Sequence, residues 1–545
     1  MTHEVFNQTP PLTNYNLFTS DLSLQEALTR EGGAWGKARA LQFGKTVGSE
    51  EAIQWGFQAN QNLPVLRTHD TIGNRRDEVE YHPAWHAWMG LSVKNGLHSL
   101  PWTENKPGAH AVRTALYYMG CQIEQGHYCP ITMTFAIIPT LRLQPDLAKK
   151  WEPKIFSLQY DARLIPAEQK QGLICGMALT EKQGGSDVRA NTSQAKPLNQ
   201  PGPGQEYLLT GHKWFCSAPM SDAFLVLAQS AGGLSCFWMP RYRPDGSKNN
   251  IFIQRLKDKL GNRSNASGEI EFNEAWAVLI GNEGRGVANI IKMVSHTRFD
   301  CIIGSSAIMR QATIQAIYHS EHRMAFGKKL VDQPLMKNVL SDLAIDAEAG
   351  VLLAMRLARA YDEKEKNEKA AAFSRIGTAV GKYWVCKRAP THIFEAMECL
   401  GGSGYVEESI LPRLYREAPV NSIWEGSGNV NSLDLLRAIA REPNTLAVLL
   451  EELKQAQSGN RDYDPFIKKL ETDLQNTDHL ETRARDLIER LALSLQASLM
   501  LRYSPTALAE TFCRSRLSKD HGYAFGTLPP NAPFDAIIQH SRAQV

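Results

Sequence analysis

Apolar residues recur at three- and four-residue intervals in Ala84–Val93 and in Ala109–Ile123, the spacing of one helix face. Residues from about 20 to 170 read as helical on that pattern. The texture changes near Leu173. From there to about Val287 the apolar residues gather into short β-rich runs: Tyr207–Leu209, Ala223–Ala228, Leu234–Met239, Ile251–Arg255 and Glu269–Phe272. Turn-forming clusters such as GPGQ, PDGSKNN and GNRSNASG separate them. Helical spacing returns at about Val287 and lasts to about Ile439. Pro443, in REPNTL, then marks a boundary before a last helical stretch that ends in GTLPPNAP. The predicted organisation is a helical domain over 1–172, a β domain over 173–287, a helical bundle over 288–440 and an extra helical domain over 441–545. No βαβ alternation supports a doubly wound sheet, so the fold class is α+β.

A chain of 545 residues is too long for one core. Its 43% hydrophobic and 21% charged residues are ordinary for a soluble protein. The net charge of +3 announces neither a nucleic-acid nor a membrane partner. No apolar run approaches the ~18 residues that span a bilayer. The start, MTHEVFNQTPPLTNYNLF, lacks the basic and apolar regions of a secretory signal. The nine cysteines are scattered singly without a CxxC pair, which suits reduced, mostly buried thiols and a cytoplasmic location. His82 and His86 are four apart, but no third ligand follows at sensible spacing, so no metal is expected.

Three stretches carry chemistry. ALTEKQGGSDVRA (Ala178–Ala190) joins Thr180 and Ser186 hydroxyls to a Gly184–Gly185 turn with open backbone N–H groups, which suits a ring edge or a phosphate. Taken alone, it reads more readily as a polar hairpin loop. GHKWFCSA (Gly211–Ala218) places Phe215 and Ser217 on one face of a strand, a flat ring beside a hydroxyl, although a core aromatic accounts for it as well. ECLGGSGYVEESILPRLYRE (Glu398–Glu417) opens the backbone at Gly401 and Gly402, where a helix C-cap is the plainer reading. Just beyond it, SIWEGSGNV (Ser422–Val430) sets a carboxylate next to a bulky aromatic.

In that order these elements resemble the acyl-CoA dehydrogenase family. Ala178–Ala190 matches the family's first signature, including Glu181, Gly185, Ser186 and Asp187. Glu398–Glu417 matches the second, with Gly401, Gly404, Glu408, Arg413 and Glu417 at the required spacing. RMAFG (Arg323–Gly327) and LKDKLGNRSNASGEIEF (Leu256–Phe272) are similar to two further segments of the family. CPITMTF (Cys129–Phe135), SHTRFDC (Ser295–Cys301) and VNSIWEGSGN (Val420–Asn429) resemble its AidB subfamily of bacterial alkylation-response flavoproteins, as do the long N-terminal segment and the stretch after Arg441.

The resemblance implies the acyl-CoA dehydrogenase fold: an N-terminal helical domain, a β-barrel domain and a C-terminal helical bundle, here with the extra helical domain, assembled as a homotetramer with FAD. On the β domain, Met177, Leu179, Thr180, Gly185, Ser186, Phe215, Cys216 and Ser217 are expected to contact FAD. On the bundle, Ile423, Trp424, Gly426, Ser427 and Asn429 are expected to line the other side. Arg323, Gly401 and Gly402 are expected to reach the dinucleotide end of a neighbour's cofactor. In the family's reaction a Glu removes the α-proton of an acyl thioester while the β-hydride passes to the flavin. Glu425 occupies that position, with desolvation beside Trp424 as its expected activation.

The implied function is a DNA-binding flavoprotein of the alkylation-damage response with weak acyl-CoA (isovaleryl-type) dehydrogenase activity; the alternative is a catabolic dehydrogenase with no DNA role. Double-stranded DNA would be bound non-specifically. From Arg441 onward 13 Lys and Arg stand against 14 Asp and Glu, so composition itself gives DNA binding no support. The expected contacts are local: Arg483 and Arg490 on one helix face, and Arg514, Arg516 and Lys519 at another helix end. Arg437 is either a phosphate contact or a salt-bridged helix residue.

Overall fold

The computed structural model describes residues 2–457, 459–518 and 522–544. The chain divides into two compact units, and neither is one continuous stretch. One comprises Met1–Ile53, Asn105–Ile123 and Arg298–Val545; the other comprises Gln54–Glu104 and Glu124–Thr297.

The second unit is built on a barrel. Its strands are β3 (Cys175–Ala178), β4 (Gln194–Pro197), β5 (Glu206–Ser217), β6 (Ala223–Ser230), β7 (Gly233–Pro240), β8 (Ile251–Leu256) and β9 (Ser267–Ile280). The order β6-β4-β5-β9-β7 closes on itself because β7 also pairs with β6; β3 lies parallel to β6, and β8 pairs with β9. Closure leaves the ring with no open edge. Alternation sorts the side chains of β6: Val226 and Ala228 join Tyr207, Phe237 and Ile270 in one cluster, while Leu225 and Leu227 join Ile137, Trp151 and Trp238 in another. A strand buried on both faces reads as the unbroken apolar run AFLVLA.

Two departures from the expected organisation stand out. Inside the stretch read as helical, β1 (Val65–His69) and β2 (Arg75–Glu80) form an antiparallel hairpin. Its strands, VLRTH and RRDEVE, offer only one short apolar pair, Leu66 opposite Val79, which joins the barrel's core cluster. Polar bonds to β8 add to that contact: the Asp77 carboxylate accepts from the N–H of Ile253 at 2.9 Å and from Arg75, whose guanidinium donates to the Ile253 carbonyl.

The second departure concerns the stretch after Arg441, which is not a body of its own. The Leu480–Tyr503 helix packs on the Pro334–Glu363, Glu368–Cys399 and Gly428–Arg441 helices, and every residue from Leu491 to Met500 is buried. A helix buried all round is core. Ion pairs reinforce the join: Glu452 accepts from Arg356 at 2.9 Å and Arg502 at 2.6 Å. Burial alone would raise the Glu452 carboxyl, and the two guanidiniums instead hold it below its ordinary value.

Candidate functional site

On the barrel, the first signature is a turn hung from a buried ion pair. Glu181 and Lys213 meet at 2.7 Å with neither side chain exposed, and Glu181 also accepts from the N–H groups of Thr192 and Ser193. Burial would raise Glu181; its hydrogen bonds and the Lys213 charge pull it well below the usual carboxylate range. The Thr180 carbonyl accepts from the Trp214 N–H at 2.8 Å, which binds this turn to β5. Gly185 needs its missing side chain, since a Cβ there would lie 2.5 Å from the Thr180 hydroxyl. A Cβ on Gly184, at φ +138°, would point into open space.

Along β5 the exposure alternates. Phe215 shows 49% of its surface, Cys216 is fully buried and Ser217 is half-buried, with its hydroxyl 3.4 Å from that of Ser267. Burial pushes the Cys216 thiol up to about 12 and leaves no part of its side chain for a ligand. Lys257 Nζ stands 4.7 Å from the Phe215 ring centre and 3.2 Å from that of Trp214, a cation–π arrangement beside the exposed ring. Met177 and Leu179 are half-buried, whereas Ser186 and Gly185 are exposed.

The bundle unit presents Glu425 on a sharp turn between the Leu411–Ile423 and Gly428–Arg441 helices. Glu425 has φ 58° and Gly426 has φ 102°, so a non-glycine residue sits in the left-handed region. Such a conformation costs of order 1–3 kcal/mol and persists only where its surroundings impose it. They do so here through the carbonyls. Lys382 Nζ donates to the carbonyls of Trp424 (2.8 Å) and Gly426 (2.6 Å), and Arg298 Nε donates to that of Glu425 (2.8 Å). Asn431 adds a bond to the Gly426 carbonyl, and Asp434 braces Arg298 at 2.8 Å while accepting from Arg375. Trp424 donates its indole N–H to Asn421. Ile423 and Asn429 are exposed; Trp424, Gly426 and Ser427 are half-buried.

Sequence reasoning missed Lys382, Asn431 and Asp434 and quoted Arg298 only within a matching string. One signal was available: Lys382 interrupts an apolar helix, RIGTAVGKYWVC.

Elsewhere in this unit, a Cβ on Gly401 or on Gly402 would meet nothing within 4 Å, and Gly401 takes φ 58° as the helix Glu368–Cys399 ends. Arg323 donates to the Asn7 carbonyl, and Asn7 exchanges two hydrogen bonds with the Met324 backbone.

The expected DNA contacts need correction. Arg516 is an interior cation paired with Asp342 and Asp346, and those carboxylates hold its guanidinium above its ordinary range against burial. It is not available to a phosphate. Arg490 pairs with Asp473 at 2.7 Å, and Arg483 donates to the carbonyls of Asp473, Asn476 and Asp478. Arg514 donates to Asn531 at the surface. Arg437 is exposed on the Gly428–Arg441 helix. Lys519 lies outside the described residues. Among the described residues no helix is long and apolar enough to cross a membrane.

Three family descriptions match in order: "Adaptive response protein AidB N-terminal domain" over residues 7–162, "Acyl-CoA dehydrogenase, middle domain" over 176–275 and "Acyl-CoA dehydrogenase, C-terminal domain" over 284–440. AidB of Escherichia coli (strain K12) is 46% identical over 523 residues, 96% of this chain and 95% of its own. The structure of Caenorhabditis elegans ACDH-11 in complex with C11-CoA superposes with a TM-score of 0.84 at 27% identity, covering 94% of this chain and 93% of that one. A Bacillus anthracis acyl-CoA dehydrogenase, solved complexed with FAD, shares the fold with a TM-score of 0.67 at 16% identity over 94% of this chain and 87% of its own. FAD is the cofactor of the family to which these proteins belong. The chain belongs to the acyl-CoA dehydrogenase family, in its AidB branch.

Proposed function

We propose that this chain is an FAD-binding, AidB-type flavoprotein that associates with double-stranded DNA in the alkylation-damage response and retains weak acyl-CoA dehydrogenase activity, as a cytoplasmic homotetramer. One observation carries this reading: the 46% identity to AidB runs through 96% of the chain, including the stretch after Arg441.

The residues present suit a flavin. Phe215 offers an exposed ring face on the barrel, with the hydroxyls of Thr180, Ser186 and Ser217 as polar partners. The space beside Gly401 and Gly402 lets a ligand approach the backbone. Bound FAD supplies the hydride acceptor. Glu425 takes the α-proton of the acyl thioester as general base, and the cations bonded to the turn's carbonyls fix the backbone from which its carboxylate projects. Replacing Glu425 by Gln keeps the shape and removes the base, so flavin bleaching by isovaleryl-CoA should slow by roughly 10²-fold with flavin content unchanged. Bleaching at the wild-type rate would put the base elsewhere.

DNA association would be phosphate-led, with Arg437 and Arg514 as surface cations. Retention on duplex DNA should fall with salt, and R437E or R514E should each lower the logarithmic slope by about 1. A catabolic dehydrogenase without a DNA role is the second reading, favoured by the burial of Arg516 and the ion pair of Arg490. Rapid bleaching by isovaleryl-CoA or longer acyl-CoAs, together with no DNA retention at low salt, would decide for it.

A further inference from the structure

We propose that Lys382 is a positioning residue for the carboxylate base: an internal ammonium that spans the carbonyls on either side of Glu425 and holds that residue in its left-handed conformation. The proposal rests on the reading of Glu425 as a base only for its catalytic consequence. Lys382 is 1% exposed and lies in the middle of the Glu368–Cys399 helix, flanked by buried Gly381 and Tyr383. An ammonium in such a place loses its hydration, and it must recover that loss from well-placed acceptors. Its acceptors are carbonyl oxygens of residues 424 and 426, at 2.8 and 2.6 Å. The Trp424 carbonyl lies in the peptide plane before Glu425 and the Gly426 carbonyl in the plane after Gly426, so Lys382 pins both ends of the turn. Arg298 takes the remaining carbonyl, that of Glu425, at 2.8 Å. All three successive carbonyls of the turn therefore face donors from two other helices. The backbone of Glu425 cannot leave the left-handed region without breaking at least one charge-assisted bond.

A residue that acts this way is distinguishable from one that merely supports the bundle. Hydrogen–deuterium exchange on the flavin-free full chain should show faster exchange within 420–432 for Lys382→Met, with the Leu480–Tyr503 helix still protected; Lys382→Arg, which keeps charge and donors, should restore part of that protection. Unchanged exchange in 420–432 for both variants, or equal acceleration through the whole bundle in both, would overturn the proposal.

Flavin reduction by isovaleryl-CoA supplies the second arm. Lys382→Met should slow reduction roughly tenfold to 10²-fold through misplacement of the base. The same change made in an E425Q background should add nothing, because the two residues act as one unit. An equal slowing in both backgrounds would show that Lys382 does not act through Glu425. If the wild-type flavin resists isovaleryl-CoA altogether, the dehydrogenase reading fails while the exchange data still decide whether Lys382 sets the turn.

Discussion

Asp362 accepts from the backbone N–H of His110 at 2.8 Å and of Ala111 at 3.3 Å, which makes it the cap of the Ala109–Cys121 helix. Burial outweighs those bonds and pushes its carboxyl up to about 7, from an ordinary 3.8. A group whose folded value lies above its unfolded one stabilises the fold below the unfolded value and loses that contribution as pH rises through the folded value. Stability should therefore decline as pH climbs from about 4 to about 7, and Asp362→Asn, which still caps, should flatten the decline. Urea midpoints across that range would test this; an equal decline in the variant would assign it to other groups. Glu425 gives a second case at this scale. Glycine at φ 58° carries no left-handed penalty, so Glu425→Gly should raise the melting temperature while abolishing flavin bleaching by acyl-CoA. A lower melting temperature would mean that the turn stores no strain.

At the scale of elements, the Leu480–Tyr503 helix decides whether the last hundred or so residues are an appendage or part of the core. Leu495 is fully buried, and Leu495→Ala should cost about 2–5 kcal/mol, the range for core leucines, lowering the melting transition of the bundle as a whole. A change confined to a separate early transition would restore an independent C-terminal domain. Arg516→Met should likewise destabilise, by about 3–5 kcal/mol, because it leaves Asp342 and Asp346 buried with fewer partners.

These cases show where the sequence was legible. AFLVLA read as a β run because its signal lies within six adjacent residues, whereas it was the resemblance, not the local pattern, that singled out the Glu of WEGSGN. The cluster around Arg516 looked like a surface patch because its acids lie some 170 residues earlier in the chain. RRDEVE hid a strand because it has a single apolar residue, Val79, and polar bonds to β8 supply much of its attachment. The all-round burial of Leu491–Met500 depends on partner helices, three of them from before Arg441, that no local pattern records.

Over the whole molecule, the proposed tetramer makes its own demand. Phe326 is 99% exposed at a hairpin tip, and Met324 and Leu335 nearby are exposed as well. Apolar surface of that kind calls for cover. Phe326→Asp should shift sedimentation toward smaller assemblies without altering the circular dichroism of the chain. An unchanged sedimentation profile would place the subunit contacts elsewhere.

The discontinuity of the two units has a consequence in time. Ser20 bonds to the backbone of Gln544, 524 positions later, and Arg310 ties the carbonyls of Ser20 and Ser541 together. During synthesis, every segment of the barrel unit leaves the ribosome before the bundle unit has received its final helices. Ser20 must wait for Gln544, roughly half a minute to two minutes at ~5–20 residues per second. Until the Pro334–Glu363 helix emerges, Leu24, Ala27 and Leu28, buried in the finished fold, lack their main partner surface, and the nascent chain is a client for whatever shields apolar segments.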